Sequence, residues 1–164
     1  MFPSAMQEEA ARLLDAFRAR RLRLATAESC TGGLIVALLT EIPGSSDVVE
    51  RGFVTYSNTA KQESLGVAGA LLEAHGAISE AVARAMAEGA LAHSRADVAV
   101  SVTGLAGPGG GSEAKPVGLV HLAAARIGGP TLHQECRFGD IGRDPVRVKS
   151  VEVALSLLRR ALEA

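Results

Sequence analysis

Three apolar runs in this chain each end in a polar, glycine-bearing turn, and that repetition restricts the fold more than any other feature. Leu22–Ala27 leads into Ala27-Glu28-Ser29-Cys30-Thr31-Gly32-Gly33, and Val48–Tyr56 leads into Tyr56-Ser57-Asn58-Thr59-Ala60-Lys61. Val98–Val102 leads into Thr103-Gly104-Leu105-Ala106-Gly107-Pro108-Gly109-Gly110-Gly111. Short apolar runs that stop at such turns read as strands. Beyond the first turn, Leu34, Ile35, Leu38, Leu39 and Ile42 recur at helical spacing. Open α/β sheets place ligands at the carboxyl ends of their strands, so the three turns are expected to converge at one sheet edge.

The remaining elements follow from periodicity. Ser4–Arg21 predicts an amphipathic helix that buries Leu13, Leu14 and Phe17. Ser79 opens a helix to about Ser94 with Ala81, Val82, Ala85, Met86 and Ala90 on its apolar face, and Asn58–Leu65 and Ala68–His75 are shorter helices split by Gly66. Asp97–Thr103, Val117–Arg126 and Leu132–Phe138 read as strands, the last two antiparallel across Gly128-Gly129-Pro130. Asp144–Leu162 is the closing helix, with Asp144 as its cap, Pro145 in its first turn and Arg159 and Arg160 at its carboxyl end. Helices interleaved with about five strands predict an α/β fold, a three-layer α/β/α sandwich on a mixed sheet, as one domain over 1–164.

Composition removes several function classes. A formal charge of −1 gives no basic footprint, and one Tyr, no Trp and four Phe supply few stacking platforms, so nucleic-acid binding is not expected. The first residues lack the basic start and unbroken apolar block of a leader peptide, and no apolar run approaches the length that spans a membrane. A cytoplasmic location is the expectation. Cys30 and Cys136 form neither a C-x-x-C pair nor a zinc spacing. His75, His93, His121 and His133 pair with no His, Cys or carboxylate at a ligand spacing, so each reads as a rim or surface residue and no metal site is expected. Gly107-Pro108-Gly109 leads into a strand rather than a helix, and no Gly-Lys-Ser or Gly-Lys-Thr is present; neither nucleotide-binding glycine motif applies.

Ser29 marks the first turn as a place for chemistry. It falls where a strand meets a helix, so the free N–H groups and positive dipole end of that helix are expected to face it and to favour an anion. Serine is also a preferred N-cap, and either role suits the turn alone.

AESCTGG at 27–33, YSNTAK at 56–61 with Leu65-Gly66-Val67 after it, and TGLAGPGGG at 103–111 closed by Lys115-Pro116-Val117-Gly118 together resemble the CinA C-terminal domain family. The likeness runs from about Leu13 to the end of the chain. Stand-alone members of that family are nicotinamide-nucleotide amidases, and many other members carry a further domain resembling molybdopterin-binding proteins. The resemblance implies hydrolysis of the carboxamide of nicotinamide mononucleotide, a pyridine mononucleotide, to nicotinate mononucleotide and ammonia, without a cofactor and in a homodimer.

Under that resemblance Ser29 is the nucleophile. Its hydroxyl needs a base, no histidine lies in the three motifs, and Lys61 fills that place as in other Ser-Lys enzymes, provided its pKa is depressed. Tyr56 is expected to relay a proton or to orient Lys61; otherwise its ring lies in the core with its hydroxyl at the rim. The backbone N–H groups of Cys30, Thr31 and Gly32 are the expected oxyanion donors. Gly33, Thr103, Gly104, Gly107, Gly109 and Gly110 complete the substrate-binding set. Phosphate is expected at Arg143, at Arg147 or on the glycine-rich loop. The chain departs from the common family pattern, in which Gly-Asp is followed directly by Arg; here Gly139-Asp140-Ile141-Gly142-Arg143 intervenes, while Arg143-Asp144-Pro145-Val146-Arg147 fits. A non-catalytic partner module, an amidase for another amide and a thiol enzyme built on Cys30 are the competing readings.

Overall fold

A computed structural model describes residues 1–164. In chain order the elements are α1 (Ser4–Ala19), β1 (Leu24–Glu28), α2 (Leu34–Glu41), a 3-10 turn (Ser45–Asp47), β2 (Val49–Val54), α3 (Asn58–Leu65), α4 (Gly69–His75), α5 (Glu80–Ala92), β3 (Val98–Gly104), β4 (Leu119–Arg126), β5 (Leu132–Arg137) and α6 (Arg143–Glu163). The five strands form one mixed sheet in the order β2-β1-β3-β4-β5. β1 pairs in parallel with β2 and β3, whereas β3-β4 and β4-β5 are antiparallel.

Side-chain size sorts the two faces. Leu24, Val98, Val100, Val102, Val120 and Leu122 pack with buried residues of α1, α2 and α6, including Leu13, Phe17, Leu38 and Leu158. The next residues along the strands point the other way and are small. Ala25, Ala27 and Ala99 meet Leu65, Val82 and Met86 of α3 and α5, and Ala123 and Ala125 meet Ala83 and Ala87 of α5. The absence of bulk lets α5 lie close to the sheet, where the Ser101 hydroxyl donates to the Ala83 carbonyl at 2.6 Å. The sandwich has helices on both faces, as the alternation of elements predicts.

Several element ends differ from the periodicity. β2 stops at Val54: the Thr55 N–H makes the last bond of the parallel ladder, to the Glu28 carbonyl of β1 at 2.8 Å, and Tyr56 leaves the sheet. α6 begins at Arg143 with Gly142, not Asp144, in the cap position; a φ of +107° there favours glycine. Ser29 is not an N-cap: the chain makes a separate turn over 29–33, and Gly33, at φ +103°, precedes the first residue of α2. Ser79 does cap α5, accepting from the Val82 N–H at 3.3 Å. No helix is long and apolar enough to cross a membrane.

Not all four histidines are rim or surface residues. His75 and His93 are exposed, but His121 on β4 is buried and meets His133 on β5, Nδ1 to Nε2 at 2.9 Å. His133 Nδ1 lies 3.2 Å from Glu80. Burial holds both imidazoles below the ordinary histidine range. No group of three His, Cys, Asp or Glu side chains is placed to hold a metal ion.

Candidate active site

Because β2, β1 and β3 are parallel neighbours, their carboxyl ends share one edge of the sheet, and the three polar turns meet there. Ser29 leaves β1 with its N–H donating to the Val102 carbonyl of β3 at 3.0 Å. α3 follows β2, opened by Ser57, whose hydroxyl accepts from the Ala60 N–H at 3.0 Å. That start directs Lys61 back under the sheet edge. Lys61 is 1% exposed, and its Nζ lies 3.1 Å from Ser29 Oγ and 2.9 Å from the Thr55 carbonyl oxygen.

This contact is competent in both proton states. An ammonium donates to both oxygens, while a neutral amine has a lone pair that can accept the serine proton. Desolvation disfavours the charged form and holds Lys61 below the ordinary lysine range. Ser29 and Lys61 open onto a cavity of about 230 Å³, lined also by Asn58, Ile78, Thr103, Ala106 and Arg143.

Several expected site residues take other parts. Tyr56 is 64% exposed, and its hydroxyl accepts from Arg143 Nη2 at 3.0 Å rather than from Lys61. It stands at the cavity rim, neither ring-buried nor bonded to the lysine. Arg143 is anchored by the Gly107 carbonyl, to which Nη1 donates at 2.6 Å, and lines the cavity. Arg147 does not line it; Nε and Nη2 donate to the Cys30 and Thr31 carbonyls at 3.1 and 3.3 Å and brace the turn. Gly109 and Gly110 line a separate open depression with Gly139 and Asp140. Thr103 donates to the Ala77 carbonyl at 2.8 Å, and Gly104 lies at the cavity wall.

The expected oxyanion donors divide. The Gly32 N–H donates to the Ser29 carbonyl at 3.0 Å and so is not available, whereas the N–H groups of Cys30 and Thr31 make no hydrogen bond within the chain. Nor does the α2 terminus face the site with free amides. The buried Glu28 carboxylate accepts from Ile35 N–H and Val36 N–H at 2.9 and 3.1 Å. Glu28 has no counterpart in the sequence reading, because an acidic residue at a strand end ordinarily reads as solvated. Ile78 and Ala77 come from the link between α4 and α5 and carry no motif at all.

Cys30 lines the same cavity as Ser29, but its surroundings oppose the thiol reading. Cys30 is packed in the larger core cluster, and burial pushes its thiol up to about 11. The thiolate, not the thiol, is the nucleophile. Against an ordinary value of 9.0 that shift predicts roughly 100-fold less thiolate near neutral pH. Titration with a disulfide reagent, with peptide mapping to separate Cys30 from Cys136, should show Cys30 modified at least about 100-fold more slowly in the native protein than in denaturant. Equal rates would contradict the burial.

The fold and the site define a class: a three-layer α/β domain with a buried serine–lysine pair at the carboxyl edge of its parallel strands. The CinA C-terminal domain model matches residues 6–162, and the chain belongs to that family. A CinA-like protein of Mycolicibacterium paratuberculosis is 54% identical over 144 residues, covering 85% of this chain and 33% of the relative. One from Anaeromyxobacter sp. is 48% identical over 162 residues, covering 99% of this chain and 39% of the relative. The chain thus spans only about a third of the length of these relatives. Among solved structures, a competence/damage-inducible protein of Agrobacterium tumefaciens superposes with a TM-score of 0.96 at 54% identity, covering 100% of this chain and 99% of that one. A competence damage-inducible protein of Klebsiella pneumoniae gives 0.91 at 37% identity, covering 96% of this chain and 97% of that one.

Proposed function

We propose that this chain hydrolyses the carboxamide of nicotinamide mononucleotide to nicotinate mononucleotide and ammonia. The observation that carries the reading is the buried Lys61 Nζ at 3.1 Å from Ser29 Oγ, opening on a cavity. Neutral Lys61 takes the serine proton as Oγ bonds to the carboxamide carbon. Negative charge gathers on the former carbonyl oxygen, and the N–H groups of Cys30 and Thr31, which follow Ser29 and make no hydrogen bond within the chain, are assigned as its donors. The C–N bond then breaks, and the Lys61 ammonium gives its proton to the departing nitrogen, leaving an ester on Ser29 and free ammonia. Water, deprotonated by the same amine, cleaves the ester and restores the serine hydroxyl. Arg143 at the rim is the cation for the phosphate, held in place by the Gly107 carbonyl and Tyr56.

Ammonia release from nicotinamide mononucleotide by the purified protein tests this reading. A kcat on the order of 1–10 per second is expected. Free nicotinamide, which lacks the ribose phosphate, should show a kcat/KM lower by about 100-fold or more, because remote binding energy is used to position the amide. No ammonia from the nucleotide, or equal rates on both amides, would refute the substrate assignment and leave another amide or a binding module in its place.

A further inference from the structure

Glu28 and Lys61 are the two buried side chains of the Asp, Glu, Lys and Arg class in this molecule, at 0% and 1% exposure, and they lie on either side of Ser29. They are not partners: the lysine faces Ser29, while the Glu28 carboxylate faces α2. A buried carboxylate is costly unless hydrogen bonds replace its water. Here Oε1 accepts from Thr31 Oγ1 at 2.6 Å and from Ile35 N–H at 2.9 Å, and Oε2 accepts from Val36 N–H at 3.1 Å. An ordinary Ser or Asp N-cap would satisfy a helix end without burying a charge from outside the turn.

What this arrangement adds is closure of the 29–33 turn. Its first end is tied through Glu28 to its last, since the carboxylate spans to residues 35 and 36 and grips Thr31 on the way. The same residue reaches the base. Its backbone carbonyl accepts from the Thr55 N–H at 2.8 Å, and the Thr55 carbonyl in turn accepts from Lys61 Nζ at 2.9 Å. The carboxylate also occupies the positive end of α2, so reacting charge at Ser29 falls to the Cys30 and Thr31 amides.

We infer that Glu28 is a positioning residue, which holds the Ser29 turn and the Thr55 acceptor in the one arrangement that aligns serine, lysine and the two free amides. The inference rests on the serine–lysine amidase reading. It predicts an effect on turnover rather than on binding, because Glu28 lies outside the cavity wall.

The test compares wild type with Glu28→Gln, Glu28→Ala and Thr31→Val for nicotinamide mononucleotide hydrolysis, thermal melting and modification of Ser29 by phenylmethanesulfonyl fluoride. Glutamine keeps one acceptor oxygen but sets an amide N–H against a backbone N–H, so a kcat loss of about 10-fold is expected; alanine should lose about 100-fold, as misplaced groups do. Thr31→Val removes a single donor and should cost about 3–10-fold in kcat in the folded protein. KM should stay within about twofold throughout, and sulfonylation should slow in the same order as kcat. A merely structural role would lower the melting temperature yet leave kcat of the folded fraction unchanged, and that result overturns the proposal; so does a raised KM at constant kcat. If wild type spares the nucleotide yet is sulfonylated at Ser29 in this order of rates, the substrate reading fails and the role of Glu28 stands. A wild type inert toward both overturns both.

Discussion

Lys61→Met should lower kcat for ammonia release by about 1,000-fold or more and leave the melting temperature unchanged or raised. Methionine follows the path of the lysine stem without its charge, and the side chain is almost wholly buried. The charge itself is unfavourable there, since desolvation holds the amine below its ordinary value of 10.5. Removing it therefore relieves a cost, while Ser29 loses the base proposed for it; such a stability gain at the expense of activity is common for buried functional groups. General-base removal typically costs 100- to 10,000-fold. The sign of the pH dependence follows from the same burial. The base works only when neutral, so wild-type kcat should climb as pH rises through the Lys61 pKa and level off above it. Depression of that pKa places the climb below 10.5. The residual rate of the methionine variant should lack that limb. A pH–rate series on both proteins checks it, and an unaltered profile in Lys61→Met would assign the base elsewhere.

Gly89→Ala should be severely destabilising, by about 3 kcal/mol or more, the upper range for an overpacked core. Propensity alone predicts the opposite, since alanine in a helix interior is favoured over glycine by about 1 kcal/mol. The structure decides between them. A Cβ on Gly89 would overlap the carbonyl oxygen of Leu65 and come within 3.0 Å of its carbonyl carbon, and both belong to backbone that cannot swing aside. α5 and α3 would have to separate. For a chain of this size the melting temperature should fall by roughly 10 °C. Because Leu65 ends the helix that carries Lys61, the folded remainder should also lose kcat as the amine shifts from Ser29. A melt at or above the wild-type value would show that the two helices have slack that the packing denies.

Much of this molecule was readable from residue order because its candidate site sits on strand ends. Apolar runs locate β1, β2 and β3, and parallel neighbours must deliver their turns to one edge, so Ser29 and Lys61 meet although 32 residues separate them. The missed and misread parts depend on geometry that spacing does not encode. Glu28 carries no signal of its own in the sequence, and its part emerges only where the helix it caps folds back over it. Tyr56 continues an apolar run, yet β2 ends two residues earlier and leaves it exposed beside Arg143. The glycines at 107–111 read as one binding loop, but Gly107 anchors Arg143 while Gly109 and Gly110 face a different depression. His121 and His133 meet only because the hairpin register sets Ala123 opposite His133, two residues from His121.

The covalent step is the central claim, and mass analysis of the Ser29 peptide after acid quenching of a reaction with nicotinamide mononucleotide addresses it most directly. The serine–lysine account predicts an ester-linked nicotinoyl nucleotide on that peptide during turnover, and a Ser29→Ala variant that folds, carries no adduct and releases no ammonia. A Ser29→Ala protein that still releases ammonia at the wild-type rate would contradict it.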